Sequence, residues 1–147
     1  MNHTPTSDDR TMAGLAHISA IMPMMGVIAP IIIWATQKEK SDYIAFHALQ
    51  ALGYQLTMIL IWFGGMICYM LSIFTTVFIA AQNVENLEAG PPIFIAFPFL
   101  IFAFMFIGIF FFIVYGIWGA IRAFQGKPFK YFFIGNQVRK MQASQKS

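Results

Sequence analysis

Three long apolar stretches limit what this chain can fold into, because each has the length of a membrane-crossing helix. They cover residues 12–36, 43–81 and 92–124, and the third holds a single charged residue, Arg122, near its end. A helix of about 20 apolar residues crosses the roughly 30 Å hydrocarbon core of a bilayer. The sequence therefore predicts an all-α integral membrane protein with three transmembrane helices.

The composition supports this class and limits the domain organisation. Of the 147 residues, 59% are hydrophobic and 10% are charged, whereas soluble proteins carry about 25% charged residues. Three spans would use most of the length, so no sizeable soluble domain is expected. We predict a polar N-terminal tail (1–11), a helical membrane domain (12–128) and a basic, aromatic C-terminal tail (129–147).

The first apolar stretch is interrupted by Pro23 and Pro30, with Gly26 between them. Proline removes a backbone donor and kinks a helix, and in lipid the freed carbonyls need partners in neighbouring helices. Two forms of this segment are therefore open. It is either one kinked span or a re-entrant hairpin that turns near Pro23 and leaves the membrane on the side it entered.

The second apolar helix is longer than a bilayer needs. Its first three turns are expected near the lipid headgroups, where Tyr43, Phe46 and Tyr54 would form part of an aromatic belt. The sequence therefore predicts an interfacial start to the second helix, followed by the span itself.

The distribution of lysine and arginine predicts the orientation in the cytoplasmic (inner) membrane, because these residues favour the cytoplasmic side. The connector after the second helix has no basic residue and carries Glu85 and Glu88. Basic residues instead occupy the first connector and the C-terminal region, as Lys38, Lys40, Arg122, Lys127, Lys130, Arg139, Lys140 and Lys146. With three spans, the C-terminus is cytoplasmic and the N-terminus outside. With a hairpin in place of the first span, the N-terminus moves inside.

The second helix carries a stripe of small and polar residues along one side. In lipid, small residues allow close backbone approach, and hydroxyls and amides form hydrogen bonds between helices. This side is predicted to face other helices, either within the chain or in a partner, and we call it the packing stripe. At the 100° spacing of a helix, it comprises His47, Gln50, Tyr54, Thr57, Gly64, Gly65, Cys68, Ser72, Thr75 and Thr76.

The sequence offers little for catalysis or for cofactor binding. It has no nucleophile elbow, no phosphate-binding loop and no carboxylate pair in an apolar segment, so the chain is not expected to be an enzyme. His17 and His47 could ligate haem or a metal, but no third ligand is apparent. Thioethers suit Cu(I), and methionines form a group at Met22, Met24 and Met25 and a pair at Met66 and Met70. We expect no cofactor and no metal.

The expected partners are membrane lipids and other membrane proteins. The basic residues between 127 and 140 would attract anionic lipids by roughly 1 kcal/mol per charge. That behaviour is ordinary for a cytoplasmic tail next to a membrane, and it is favoured over nucleic-acid binding. Self-association, or association with other membrane subunits, is expected through the packing stripe.

Four segments together resemble a known family. They are Leu15-Ala16-His17-Ile18-Ser19; Ala29-Pro30 with Trp34 and Lys38; His47-Ala48-Leu49-Gln50-Ala51-Leu52-Gly53-Tyr54-Gln55; and Ala120-Ile121-Arg122-Ala123-Phe124-Gln125-Gly126-Lys127-Pro128-Phe129. Over roughly residues 12–135 the chain resembles the small bacterial membrane proteins grouped with the Tic-twenty component of the chloroplast inner-envelope translocon. The resemblance implies a compact helical membrane domain without catalytic residues. It also implies a polar motif of His17, Ser19, His47, Gln50, Gln55 and Arg122.

These observations favour a non-enzymatic membrane protein that packs against partner helices as an accessory or assembly subunit. The resemblance implies a role related to protein translocation. A small transporter or channel, with the packing stripe lining its path, is one alternative. A haem or copper protein that uses the histidines or methionines is the other.

Overall fold

Five α-helices make up most of the chain that the computed structural model describes, which is residues 4–82, 95–132 and 134–144. These residues contain no β-strand, so the predicted all-α class is confirmed for the described part of the chain. The predicted start of the third span at residues 92–94 lies outside it. The helices are α1 (Ser7–Ile18), α2 (Ile28–Gln37), α3 (Asp42–Gln82), α4 (Ala96–Phe124) and α5 (Ile134–Ser144).

The chain divides into two compact units. Unit 1 comprises Met1–Ile59 together with Phe111–Ser147, and unit 2 comprises Leu60–Phe110. Unit 1 therefore holds α1, α2 and α5, the first part of α3 and the last part of α4. Unit 2 holds the remaining parts of α3 and α4.

The predicted first span is two short helices, so the prediction of three transmembrane helices is wrong. Between α1 and α2 the chain forms two 3-10 turns, Ser19–Ile21 and Met25–Val27, and the two helices pack against each other. Pro23 lies in this break, where its missing N–H and fixed φ end regular helix. Pro30 instead occupies the first turn of α2, where proline is tolerated, and kinks nothing. The segment is a helical hairpin.

A capping box sets the start of α1 inside the predicted polar tail. The Asp9 N–H donates to the Thr6 hydroxyl at 3.2 Å, and the Thr6 N–H donates to the Asp9 carboxylate at 2.9 Å. Such reciprocal bonds satisfy two of the free donors at a helix N-terminus. The carboxylates of Asp8 and Asp9 in the first turn also suit the positive end of the helix dipole. The helix therefore begins at Ser7, several residues before the apolar stretch.

The hairpin turns on a strained residue. Met24 has φ 70° and ψ −50°, and it is the only described non-glycine residue with positive φ. The N–H of Met25 donates to the carbonyl of Pro23 at 2.9 Å, which closes a three-residue γ-turn around Met24. This γ-turn form is rare and strained for residues that carry a side chain. The tight turn lets α2 run back along α1.

We predict that Met24→Gly stabilises the protein. Glycine adopts positive φ without the steric cost that a side chain adds, so relief of strain should raise the free energy of unfolding by about 1 kcal/mol. The measurement is denaturant unfolding in detergent micelles, followed by circular dichroism. Met22→Gly is the control, since Met22 has φ −100° and its replacement removes no strain. If both variants shift stability equally, the turn is not strained.

Two helices, α3 and α4, are long and apolar enough to cross a membrane. They have 41 and 29 residues, and only 6% of the apolar window in each is buried inside the chain. A core helix of a soluble protein would be mostly buried, and a signal sequence would lie near the N-terminus. The second and third predicted transmembrane helices therefore fit α3 and α4, whereas the first predicted span contains only a shorter apolar helix, Met25–Gln37.

Unit 2 consists of parts of two helices whose apolar side chains point mostly outward. Internal contacts include Tyr69 with Phe102, whose ring centroids are 5.6 Å apart. Gly65 faces Met105, and a Cβ atom added at Gly65 would lie 3.1 Å from the Met105 sulfur. Many large side chains of this unit remain exposed, among them Leu60, Phe74, Phe78, Phe99 and Phe104. Such a surface suits acyl chains rather than water.

Candidate functional site

A buried polar cluster lies inside unit 1. Its members are His17, His47, Gln50 and Gln55, each at most 2% exposed. Polar side chains are rarely buried so completely, and burial is costly unless their hydrogen bonds are satisfied. Each described side-chain nitrogen or oxygen that is buried has a hydrogen-bond partner. The hydrogen bonds of the cluster are therefore satisfied within the chain, which suits a role in holding helices together.

The two histidines form the centre of the cluster. The Nε2 atom of His17 lies 3.0 Å from the Nδ1 atom of His47, and the Nδ1 atom of His17 lies 3.0 Å from the Tyr131 hydroxyl. A neutral imidazole has one donor nitrogen and one acceptor nitrogen, so His17 can donate to one of these partners and accept from the other. This chain of hydrogen bonds joins α1, α3 and the segment between α4 and α5.

Gln50 fixes the backbone of the segment between α4 and α5. Its Oε1 accepts from the Tyr131 N–H at 3.1 Å, and its Nε2 donates to the Phe129 carbonyl at 3.3 Å. Gly135 permits this approach, since a Cβ atom there would lie 2.9 Å from the Gln50 Oε1 atom. One amide side chain thus replaces the partners that a neighbouring strand or helix would give these backbone groups.

Further polar contacts attach the hairpin and α4 to α3. Gln55 donates to the Ser19 hydroxyl at 2.9 Å, just after α1 ends. Tyr54 donates to the Phe112 carbonyl at 2.8 Å, and Tyr43 donates to the Ala123 carbonyl at 3.2 Å. Hydrogen bonds to backbone carbonyls thus tie α4 to α3 at two heights within unit 1.

Aromatic rings enclose the cluster. Tyr54 and Tyr131 stack with their centroids 4.0 Å apart and an interplanar angle of 1°. Phe129 lies edge-on to both His17 and Tyr131, at 5.7 and 4.9 Å. Such pairs add about 0.5–1.5 kcal/mol beyond the area they bury, and they keep water away from the histidines.

Burial also determines the charge state of groups at this site that lie outside the two long helices. Loss of hydration lowers the pKa of His17 well below its ordinary value, and the neighbouring His47 lowers it further. Burial raises the pKa of Tyr131 well above its ordinary value, with smaller contributions from Tyr54 and Tyr115. Both groups are therefore neutral at pH 7, and the site combines neutral donors and acceptors.

This shift predicts that acid destabilises the protein. The unfolded chain takes up a proton on His17 near pH 6.5, whereas the folded chain resists it to lower pH. The contribution of His17 to the free energy of unfolding is therefore fully present above about pH 6.5. Below that pH the free energy of unfolding falls, by up to about 1.4 kcal/mol per pH unit for this histidine.

The measurement is denaturant unfolding between about pH 7.5 and about pH 5. His17→Gln, which keeps a donor and an acceptor, should flatten the pH dependence. An unchanged slope in that variant would assign the acid sensitivity to other groups.

The structure places the packing stripe in two different settings. His47 and Gln50 are buried in the cluster and Tyr54 is buried beside it. The other members of the stripe are exposed (Thr57, Gly64, Cys68 and Thr75) or half-buried (Gly65, Ser72 and Thr76). The hydroxyls of Thr57, Ser72 and Thr75 donate to carbonyls of their own helix, so they need no partner across a helix interface. That this part of the stripe faces a partner stays a prediction.

The polar motif residues lie mostly in or beside the cluster. His17, His47, Gln50, Gln55 and Ser19 take part in its hydrogen bonds. Arg122, near the end of α4, donates instead to the Pro128 carbonyl at 3.3 Å. Tyr131 and Phe129 were expected only as parts of an aromatic tail. The four aromatic residues at positions 129, 131, 132 and 133 were the available signal that the start of this tail folds back.

The candidate ligands for a metal or haem are His17, His47 and the methionines. Both ring nitrogens of His17 are occupied by Tyr131 and His47, so a metal ligated by His17 would displace one of these hydrogen bonds. Among the described residues, no group of three or more histidine, cysteine, aspartate or glutamate side chains is placed to hold a metal. Met22, Met24 and Met25 lie exposed at the hairpin turn.

A comparison with protein families matches residues 8–138 to the Magnetosome magnetite crystal formation protein family. Comparisons with curated proteins and with solved structures found no match. The family match covers nearly the whole chain, including all four segments that suggested the Tic-twenty-like proteins. That resemblance is therefore wrong, and the translocation-related role implied by it has no support.

Proposed function

This chain belongs to the Magnetosome magnetite crystal formation protein family, and from that premise we propose that it is a non-enzymatic membrane protein that assists the formation of magnetite crystals. The observation that carries the proposal is the family match over residues 8–138. In this role the chain is an accessory or assembly subunit, held in the membrane by α3 and α4.

Membrane placement is supported by the outward-facing apolar surface of both long helices. Exposed side chains of α3 and α4 in unit 2 include Leu71, Val77, Leu100 and Ile107. Burial of apolar surface contributes about 25 cal/mol per Å², so transfer of this surface from water to acyl chains is strongly favourable. The proposed membrane is the cytoplasmic (inner) membrane.

The hairpin favours the orientation with both termini inside. Arg10 near the start of α1 approaches Gly126 just after α4, so these parts of unit 1 lie at one end of it. With two spans, Arg10 joins Lys38, Lys40 and the basic C-terminal region on a single side. The positive-inside rule then makes that side cytoplasmic.

A role without catalysis is supported by how the polar cluster is used. Its donors and acceptors are satisfied by other parts of the same chain, and its aromatic walls exclude water. Catalytic groups usually face a cleft that admits a substrate. The cluster instead joins α1, α3 and the segment before α5.

A partner surface is supported by the glycines of α3 in unit 2. A Cβ atom at Gly64 would meet nothing within 4 Å, so another helix could approach closely there. Gly65, in contrast, is partly covered by Met105 of the same unit. The part of the packing stripe that is open to a partner is therefore centred on Gly64.

The proposed function is tested in a magnetite-forming bacterium that encodes this chain. Deletion of the gene should change the number, size or shape of the magnetite crystals seen by electron microscopy, and expression of the wild-type chain should restore them. A tagged chain should stay with the membranes after carbonate washing. Unchanged crystals after deletion, or a chain released into the aqueous fraction, would contradict the proposal.

The partner surface is tested with Gly64→Leu in the same strain. This variant should lose co-purifying subunits or self-association, because leucine prevents close helix approach. Gly108→Leu is the matched control, since Gly108 also lies in unit 2 with nothing within 4 Å of an added Cβ atom. If the two variants co-purify with partners and self-associate to the same extent, Gly64 does not lie in the interface.

A further inference from the structure

The turn of the α1–α2 hairpin exposes a compact group of large apolar side chains. We define the hairpin tip as Ile21, Met22, Met24, Met25 and Ile28. Met22 and Met25 are each 65% exposed, and Ile21, Met24 and Ile28 are each nearly half exposed. From residue 20 to residue 35 the only polar group of any side chain is the indole N–H of Trp34. Contiguous apolar surface of this kind marks a site of contact with lipid or protein.

The hairpin is too short to cross a bilayer and has charged residues at both ends. Its helices have 12 and 10 residues, about 18 and 15 Å at 1.5 Å per residue, against a hydrocarbon core of about 30 Å. Asp8, Asp9 and Arg10 lie near the start of the hairpin, and Lys38, Glu39 and Lys40 follow its end. Both ends therefore belong in water or among headgroups, on the same side.

Contacts within unit 1 fix the height of the tip along α3. A Cβ atom at Gly26 would collide with the Ser19 carbonyl oxygen and would lie 2.9 Å from the Gln55 Oε1 atom. From Asp42 to Gln55 the helix rises about 20 Å. The tip thus lies about 20 Å from the end of the unit where the hairpin begins and ends.

The backbone of the tip is suited to lipid. In the hydrocarbon region, backbone donors must be satisfied within the chain. The N–H groups of Met22, Met25 and Gly26 donate to carbonyls within the turn, at 3.0, 2.9 and 2.7 Å. The Ser19 hydroxyl, beside the tip, donates to the Ala16 carbonyl at 2.8 Å.

We propose that the hairpin tip inserts among the acyl chains of the leaflet on the basic side of the protein and acts as a wedge in that leaflet. This inference rests on the proposed membrane placement and adds a surface that the function does not require. A hairpin about 20 Å deep occupies area in one leaflet and none in the far one. Such one-sided insertion favours a convex leaflet, where lipid packing is looser.

Insertion is tested with single cysteines in the full chain, after Cys68→Ser removes the exposed native thiol. An environment-sensitive dye on Met24→Cys should report an apolar setting in proteoliposomes and be quenched by lipids that carry nitroxides on their acyl chains. In intact cells, Ser7→Cys and Glu39→Cys should both be protected from an impermeant thiol reagent and react after permeabilisation. A water-exposed Met24→Cys, or labelling of only one of the two flanking cysteines in intact cells, would overturn the proposal.

The wedge is tested by the distribution of the reconstituted chain between small and large vesicles. Wild type should be enriched in small vesicles, and Met22→Ser combined with Met25→Ser should lose that enrichment. Met141→Ser is the matched control, because Met141 is an exposed methionine of α5, outside the hairpin. No enrichment of wild type, or enrichment that survives the tip variant, would overturn the wedge. If every variant left the membranes on carbonate washing, the proposed function itself would fail.

Discussion

Replacement of His17 by alanine should lower the free energy of unfolding by about 3–5 kcal/mol. The substitution removes both hydrogen bonds of His17, so the Tyr131 hydroxyl and the Nδ1 atom of His47 lose their partner in a region closed to water. Each buried polar group left without a partner costs about 1–3 kcal/mol, and the cavity left by the ring adds to this cost. The measurement is denaturant unfolding in detergent micelles, followed by circular dichroism.

Thr11→Ala on the same helix is the control for His17. Thr11 is exposed, and its hydroxyl donates to the Ser7 carbonyl of its own helix, so its loss should change stability by about 0.5 kcal/mol or less. If the His17 and Thr11 variants are equally stable, the buried hydrogen-bond chain contributes little to folding.

A double-mutant cycle isolates the contact between His17 and Tyr131. The combination of His17→Leu with Tyr131→Phe removes the donor and the acceptor together, and such joint replacement costs less than the sum of the two single changes. We expect a coupling energy of about 1–2 kcal/mol, within the range for residues in direct contact. Strict additivity would mean that the 3.0 Å contact does not stabilise the fold.

The sequence predicted the all-α class and the two long apolar helices because these depend on local pattern. The second and third long apolar stretches form α3 and α4. His17, His47 and Gln50, which the sequence analysis singled out, lie in the buried cluster. The pairing within the cluster could not be predicted. His17 lies 30 residues from His47 and 114 from Tyr131, and only the tertiary arrangement brings them together.

The number of spans was predicted wrongly because length and apolarity do not show whether a helix continues. Residues 12–36 have the length of a span, but the chain turns back at Met24. One local signal favoured the hairpin, which is Pro23 with Gly26 at the middle of the apolar run. The family resemblance failed for a related reason. Small and amide residues at helical spacing serve close packing in many helical membrane proteins, so they specify no single family.

Replacement of Gln50 by leucine is expected to lower the free energy of unfolding by about 2–4 kcal/mol. Leucine has a similar volume, but it leaves the Tyr131 N–H and the Phe129 carbonyl without partners. Because both groups belong to the segment between α4 and α5, the damage should concentrate there. Trypsin should then cut after Lys130 more readily than in wild type, whereas Lys127 precedes Pro128 and is protected by that proline.

Gln125→Leu provides the comparison for Gln50, because Gln125 is an exposed glutamine just after α4. Its replacement should leave both the unfolding midpoint and the rate of cleavage after Lys130 close to wild type. A Gln50→Leu variant that unfolds like wild type, or that loses stability without faster cleavage, would show that the amide does not hold this segment. If Gln50→Leu loses both stability and resistance to cleavage after Lys130, Gln50 is the residue that keeps the C-terminal segment folded against α3.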